Sequence, residues 1–192
     1  MGGNVRGVML IVCLMFLLVI SLTAAVTVRR AASSDAVAGN ARTHTLALQA
    51  AEAGLLHCER LFAAFAADPA QGLAPAAAPA GAGEPFLWEG LGNWDGPSAQ
   101  GKARRVPFGD SESGGAQAYF RRSPECMAQY YAAGRTATAV VTARGFGPEV
   151  APQGGGQAAP RGTEVWLQSV MTVPADGRPA SRAWRQIFPR TQ

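Results

Sequence analysis

The feature that most constrains this chain is a long uncharged stretch near its amino terminus. From Gly7 to Val28, 22 consecutive positions carry no charged residue. As a helix this stretch would be about 33 Å long, close to the thickness of the hydrocarbon core of a bilayer. A cleavable secretory signal is the competing interpretation, but its apolar region is about 7–15 residues long and ends at a small-residue cleavage site. We therefore expect Val8–Val28 to span a membrane.

The helical pattern continues beyond Arg29 and Arg30. Alanines dominate the next segment, and its one weak helix former, Gly39, costs about 1 kcal/mol relative to Ala. We therefore predict one helix from about Val8 to Phe65. Its second half is amphipathic, with small and apolar residues at spacings of three and four that predict a buried stripe. The stripe comprises Ala47, Ala51, Gly54, Leu55, Cys58, Leu61, Phe62 and Phe65. The charged or polar residues Gln49, Glu52, Glu59 and Arg60 are expected on a solvated side.

Composition limits what the remaining chain can form. The sequence is 48% apolar, but outside Val8–Val28 much of that is alanine, and the chain contains 23 Gly and 13 Pro. This balance excludes a large hydrophobic core. Recurrent Pro and Gly predict a linker without helix or strand over residues 67–85. The cluster of Phe86, Leu87, Trp88, Leu91 and Trp94 is expected to join the thin core; an exposed partner patch is the alternative.

Strand patterns appear late in the chain. Thr138–Gly145 and Glu164–Val173 are rich in Val and Thr with alternating side chains, and the Gly-rich stretch Pro148–Arg161 separates them. They are predicted to be antiparallel neighbours joined by a long loop. Shorter strands are expected at three further segments: Tyr119–Arg122, Met127–Tyr131 and Ala183–Phe188. The predicted fold is therefore α+β, with a long amino-terminal helix packed on a small antiparallel sheet.

Two segments resemble a known family. The chain opens with a short leader, MGGNVRG, which runs directly into the apolar helix. The stretch VAGNARTHTLALQAAEAGL follows at Val37–Leu55. Together they resemble the amino-terminal region of type IV pilus minor pilins of the PilX class. Weaker similarity recurs in TARGFG at Thr142–Gly147 and in GTEVWLQSVMTV at Gly162–Val173. The family motif residues are Gly39, Asn40, Gln49, Ala50, Ala51 and Glu52.

The resemblance implies processing of the amino terminus. Prepilin peptidase would cleave between Gly7 and Val8, and the new amino terminus at Val8 would be methylated. It also implies five segments: a leader at 1–7, a transmembrane and assembly helix at 8–28, an amphipathic continuation at 29–66, a linker at 67–85 and a globular sheet domain at 86–192. One departure is that Val12 occupies the fifth mature position, where most pilins have a glutamate.

The resemblance further implies a structural protein that acts by helix packing rather than catalysis. Its partners would be other minor and major pilins, prepilin peptidase, the inner-membrane assembly platform, a large tip adhesin, and membrane lipid before assembly. Such a subunit would prime pilus assembly at the tip and support twitching motility and adhesion. The alternatives are a type II secretion pseudopilin and an uncleaved single-pass membrane-anchored binding protein.

The flanking charges and the resemblance predict opposite orientations in the membrane. Arg6 precedes the apolar stretch while Arg29 and Arg30 follow it, so the positive-inside rule alone would place the carboxyl-terminal domain in the cytoplasm. The resemblance places the protein in the inner membrane with this domain in the periplasm, and then in the pilus.

The cysteines allow one bridge outside the membrane. Cys13 lies in the apolar stretch, whereas Cys58 lies on the buried stripe and Cys126 just before a predicted strand. In an oxidising periplasm these two can form a disulfide, which for a loop of this length stabilises by about 4 kcal/mol on the loop-entropy model. Two free buried thiols are the alternative.

No pattern predicts a cofactor, a metal site or catalytic residues. His44 and His57 lack partners at zinc-ligand spacing, and Asp110 and Glu112 fall short of a calcium loop, so surface positions are expected for all four. The formal charge of +4 comes from arginines that could contact DNA phosphates or an acidic partner. Dispersed surface residues are the plainer interpretation of Arg104–Arg105 and Arg121–Arg122, and no specific nucleic-acid partner is expected.

Overall fold

A computed structural model describes most of the chain. The described residues are 5–68, 70, 72, 76–77, 86–95, 103–107, 119–133, 136–152, 159–173 and 180–188. The chain divides into two compact units, one ending at Arg42 and the other beginning at Thr43. The acidic turn predicted at Asp110 and Glu112 lies outside the described residues.

One helix, α1, runs over Val5–Ala67. The predicted helix from Val8 to Phe65 is thus confirmed, with its ends extended by two or three residues. The helix ends just before Asp68 and Pro69, and a proline cannot continue the hydrogen-bond ladder of a helix. Shortly afterwards Gly72 adopts a left-handed φ of +89° against the last turns of α1, where a side chain would overlap the Leu61 carbonyl and the Phe65 amide.

Six strands form one sheet within the described residues. They are β1 (Ala76–Ala77), β2 (Arg104–Arg105), β3 (Glu125–Ala133), β4 (Thr136–Phe146), β5 (Glu164–Val173) and β6 (Ser181–Ile187). Their order across the sheet is β1, β3, β4, β5, β6, and β2 also pairs with β3. All pairings are antiparallel except that of β1 with β3. The α+β arrangement predicted from the sequence is confirmed.

Alternating strand residues divide the core between the two faces of the sheet. On one face, the second half of α1 packs against residues such as Cys126, Val141 and Leu167. On the other face, Trp94, Met127, Trp166 and Ile187 form a smaller cluster. Two short 3₁₀ turns at Leu87–Glu89 and Leu91–Asn93 cover this second face. Of the cluster predicted to join the core, Leu87, Trp88, Leu91 and Trp94 do so, whereas Phe86 is exposed.

Two local predictions are wrong. Tyr119–Arg122 does not form a strand; the chain bends at Arg121 and Arg122 before β3 begins. The reason is that Arg122 is held by carboxylates in the interior rather than by a neighbouring strand. The segment predicted as a strand-free linker contains the two-residue strand β1, which pairs in parallel with Gln129 and Tyr130 of β3.

Candidate functional site

The first part of α1 is an apolar surface with no intramolecular cover. Every residue from Val8 to Arg42 is exposed, and the exposed fraction of large side chains such as Leu18 reaches 68%. By length and composition α1 can cross a membrane, and the most apolar window of the helix is not buried at all in this structure. A core helix of a soluble protein would be mostly buried, so these residues need another environment.

Two threonine hydroxyls within this stretch are satisfied inside the helix itself. The hydroxyl of Thr23 donates to the carbonyl of Ile20 at 2.9 Å, and that of Thr27 donates to the carbonyl of Thr23 at 2.6 Å. In a hydrocarbon environment an unsatisfied polar group costs several kcal/mol. The stretch therefore carries these threonines into an apolar environment without leaving their hydroxyls unpaired.

The residues predicted to be processed lie at the start of this surface. The Gly7–Val8 bond is in the first turn of α1, where helices fray most easily, and the Val8 side chain is exposed. Val12 is also exposed, one turn further along the same helix.

The family motif is divided between the two units and between two environments. Gly39 and Asn40 lie in the exposed part of α1, and a Cβ added to Gly39 would meet nothing within 4 Å. Ala50 and Ala51 are buried in the second unit, whereas Gln49 and Glu52 point outward and are exposed. Intramolecular packing therefore accounts for the two alanines but not for the exposed pair.

The buried alanines allow α1 to approach β4 closely. Gly145 of β4 faces the helix at Ala47 and Ala51, and a Cβ on Gly145 would lie 2.7 Å from the Cα of Ala51 and overlap its amide nitrogen. Only a glycine on the strand and a small residue on the helix fit at this separation. Ala51 of the QAAEA element, together with Ala47 one turn earlier, is thus the helix side of a close backbone contact.

A disulfide joins the same helix to the sheet. Cys58 and Cys126 are bonded, with 6.4 Å between their Cα atoms, and both are fully buried. Cys58 lies on the buried stripe of α1 and Cys126 near the start of β3. Cys13, in the first unit, is a free and exposed thiol.

A buried ionic network on the opposite sheet face was missed by the sequence analysis. The Arg144 guanidinium donates to the Asp95 carboxylate at 2.7 and 2.8 Å and to Glu125 at 2.6 and 2.8 Å. Arg122 donates to the same two carboxylates at 3.0–3.3 Å. The Arg144 side chain is fully buried. The prediction that Arg122 is a surface residue is therefore wrong, since two carboxylates compensate for the burial of its charge.

Aromatic rings complete the surroundings of these two arginines. The Cζ of Arg144 lies 5.2 Å from the centres of the Trp94 and Phe146 rings, and that of Arg122 lies 4.4 Å from the Phe146 ring. Both distances are within the range of cation–π attraction. Since Asp95 closes the segment that covers this sheet face, the network fastens that segment to β3 and β4.

The network shifts the pKa of Asp95 and of Arg144. Burial alone would raise the pKa of the Asp95 carboxyl, but hydrogen bonds and charge from Arg144 and then Arg122 hold it below its ordinary value. Burial would likewise lower the pKa of Arg144, and Asp95 and Glu125 raise it instead. Both shifts favour the charged forms of Asp95 and Arg144.

One residue predicted on the solvated face of α1 is instead buried in a second ion pair. Glu59 is largely buried and accepts a hydrogen bond from the Nε of Arg182 in β6 at 2.8 Å. Glu52 and Arg60 are exposed as predicted. Glu59 is buried, unlike Glu52 and Arg60, because β6 lies beside the helical turn that contains it.

The described residues contain no group of three or more His, Cys, Asp or Glu side chains that could hold a metal ion. His44 is exposed and His57 is half-buried. Burial lowers the pKa of His57, and the charges of Arg104 and Arg60 lower it further. Arg104, Arg105 and Arg121 are exposed, as predicted.

An exposed apolar amino-terminal helix whose continuation packs on an antiparallel sheet is consistent with a protein anchored in a membrane. Comparison with known families makes this more specific: residues 6–56 match the family model described as PilX N-terminal. The resemblance found in the sequence is confirmed over this segment, and the match is consistent with a PilX-class minor pilin of type IV pili. No curated protein and no solved structure matches the chain.

Proposed function

We propose that the protein is a minor pilin that takes part in type IV pilus assembly at the tip. The observation that carries the proposal is the coincidence of the PilX N-terminal match with a helix surface that nothing in the described chain covers. The protein acts by helix packing and not by catalysis. Its assembly supports twitching motility and adhesion through a large tip adhesin.

The exposed part of α1 serves as an anchor and then as an assembly element. Before assembly, Val8–Val28 lies in the inner membrane among lipid tails. The assembly platform then transfers it into a bundle of equivalent helices from other minor and major pilins. Van der Waals packing between helices replaces contacts with lipid, so apolar burial is maintained during the transfer.

Two exposed motif residues support direct contact with neighbouring subunits. Gln49 and Glu52 stand on the outward side of α1 in the second unit, and the fold makes no use of them. A carboxylate and an amide at this spacing can accept and donate hydrogen bonds across a helix interface. We assign this side of α1 to contacts with another pilin.

The disulfide supports a periplasmic location for the second unit. Disulfides persist in the periplasm and are rare in the cytosol, so a Cys58–Cys126 bond favours the orientation opposite to that given by Arg29 and Arg30. Long extramembrane domains are translocated largely regardless of flanking charges, so Arg29 and Arg30 do not oppose this orientation strongly.

The absence of an acid at position 12 fits a place at the tip. A carboxylate in lipid is costly unless it is paired. In a pilus shaft a glutamate at this position would pair with the amino terminus of the next subunit, whereas the terminal subunit has no such neighbour. Val12 avoids the unpaired charge.

Mass spectrometry of the mature protein tests the processing step. We expect the protein from cells that contain prepilin peptidase to begin with N-methylated Val8. Substitution of Gly7 by Glu should block the cut, since a protease must approach the backbone closely there. Gly39→Ala is the matched control, because a Cβ at Gly39 meets nothing within 4 Å, and it should be processed normally.

An intact start at Met1 or Gly2 in those cells would overturn the pilin assignment and favour an uncleaved anchored protein. A deletion strain separates the two assembly systems. Loss of surface pili with normal protein secretion is expected for a minor pilin. Loss of secretion with normal pili would instead identify a type II secretion pseudopilin.

A further inference from the structure

Two arginines follow the apolar stretch of α1 without a break. As a helix, Val8–Val28 is about 30 Å long, which matches the hydrocarbon core of a bilayer. Arg29 and Arg30 come next on the same helix, and both are exposed. When Val8–Val28 spans the membrane, the two guanidinium groups therefore lie at the level of the lipid headgroups, at the carboxyl-terminal end of the stretch.

Neither arginine has a carboxylate partner within the part of the chain that the structure describes. The salt bridges found there all belong to the second unit. The next acidic residue along α1 is Asp35, at a spacing longer than the three or four positions at which helical side chains meet. Two positive charges at the end of the apolar stretch are therefore available to a ligand outside the chain.

The helix directs these two side chains to neighbouring sides. Consecutive residues of an α-helix are about 100° apart around its axis, so Arg29 and Arg30 reach different headgroups rather than the same one. The long apolar stem of an arginine can lie along lipid tails while its charged end stays in the headgroup layer. Each guanidinium also presents a pair of N–H donors that fits two oxygens of one phosphate.

We propose that Arg29 and Arg30 form a binding site for anionic phospholipid, in which each guanidinium donates hydrogen bonds to the phosphate of a headgroup. The inference rests on the membrane anchoring that is part of the proposed function. A zwitterionic lipid binds less tightly, because its own cationic group offsets the phosphate. Each arginine near an anionic surface strengthens the attraction about fivefold. The site holds the subunit at a fixed depth in the membrane until assembly begins.

Native mass spectrometry tests the proposal on protein purified in a nonionic detergent from cells that contain prepilin peptidase. Phosphatidylglycerol and phosphatidylcholine of equal chain length are titrated in parallel. We expect phosphatidylglycerol to bind about tenfold more tightly or better, because both arginines contribute. Excess inorganic phosphate should leave the bound lipid in place. Equal affinity for the two lipids, or displacement by inorganic phosphate, would overturn the assignment to an anionic phospholipid.

Variants on the same helix provide a matched comparison. The double variant Arg29→Gln with Arg30→Gln should bind the two lipids with affinities within about twofold of each other, and each single variant should keep a preference of about fivefold. Arg42→Gln removes an equal charge about 18 Å further along the axis, beyond the headgroup layer, and should keep the full preference. A preference retained in the double variant, or lost equally in Arg42→Gln, would contradict the site.

The same spectra separate a failure of the lipid site from a failure of the proposed function. The mass of the protein shows whether the chain begins with methylated Val8. A processed chain with no lipid preference would overturn the site alone. An unprocessed chain that keeps the preference would support the site and overturn the assignment as a pilin.

Discussion

The two parts of α1 belong to one helix but differ in whether their side chains are buried within the chain. From Val8 to Arg42 no side chain is buried, and over Val8–Val28 Leu, Ile, Val, Met and Phe surround the helix axis. From Thr43 onward, the buried residues are mainly small ones on a single stripe, among them Ala47, Ala51 and Cys58. Bulky residues on all sides suit a fluid or repeating environment, whereas a stripe of small residues suits one fixed backbone partner. Substitutions in the two parts should therefore have opposite consequences.

The largest loss of folding stability is expected from disruption of the ionic network inside the second unit. Arg144→Met should lower the free energy of unfolding by about 3–5 kcal/mol, because it leaves two buried carboxylates without their main partner. Urea unfolding followed by tryptophan fluorescence measures this. Arg185→Met on exposed β6 removes an arginine of the same sheet and should cost under about 1 kcal/mol. A loss as small as this in Arg144→Met would refute the importance of the network.

Removal of the disulfide should have the next largest effect. The double variant Cys58→Ala with Cys126→Ala is expected to lose about 2–4 kcal/mol through the greater freedom of its unfolded chain. Cys13→Ala in the exposed part should leave the unfolding of the sheet unchanged. Alkylation of unreduced protein checks the bond directly: Cys13 should be modified, and modification of Cys58 and Cys126 as well would disprove the bridge.

Adding a methyl group at the close contact between α1 and β4 should have a moderate effect on folding stability. Gly145→Ala places a methyl group against the Ala51 backbone and should cost about 1–3 kcal/mol as an overpacked contact. Gly39→Ala introduces the same methyl group into the exposed part and should leave the sheet unit unaffected. Equal effects of the two substitutions would mean that α1 does not pack closely on β4.

The pH dependence of stability should expose the role of Asp95. Its pKa in the folded protein is lower than the ordinary value of 3.8 that it regains on unfolding. Its stabilising contribution is therefore complete above pH 4 and is lost as pH falls through the lower, folded pKa. Asp95→Asn should be less stable at pH 7, and its deficit relative to the native protein should shrink below pH 4. A deficit that stays constant down to pH 2 would contradict this.

The smallest effect on folding, and a large one on assembly, is expected in the exposed part. Val12→Glu should change the free energy of unfolding of the sheet unit by less than about 0.5 kcal/mol. The same change places a carboxylate in lipid, so surface pilus number and tip location should fall. Val37→Glu lies beyond Arg30 and serves as the control. Unchanged pili in Val12→Glu would remove the reason given for the valine.

The sequence predicted those features that depend on local pattern. The length of α1, its buried stripe and strand β5 followed from the spacing of apolar residues, and the PilX resemblance followed from a contiguous motif. The network around Arg144 did not, because its partner Asp95 is 49 positions away and an isolated charge gives no sign of what it will meet. The available sequence signal for a buried charge was an arginine at an alternating position of a predicted strand, close to Phe146.

The environment of Glu59 was unpredictable for the same reason. Its spacing placed it off the apolar stripe, and its partner Arg182 lies 123 positions away on β6. Local periodicity assigns a side chain to a face of a helix, whereas burial depends on which strand comes to lie beside that face.

The bond between Cys58 and Cys126 also has a mechanical consequence. A tensile load applied along α1 reaches β3 through covalent bonds at this point, so the helix cannot shear away from that strand while the bond is intact. Beyond β3 the load passes to β4, β5 and β6 through rows of hydrogen bonds between neighbouring strands. Under traction, the sheet should therefore yield from the β6 edge inward, and β3 should separate from the helix last.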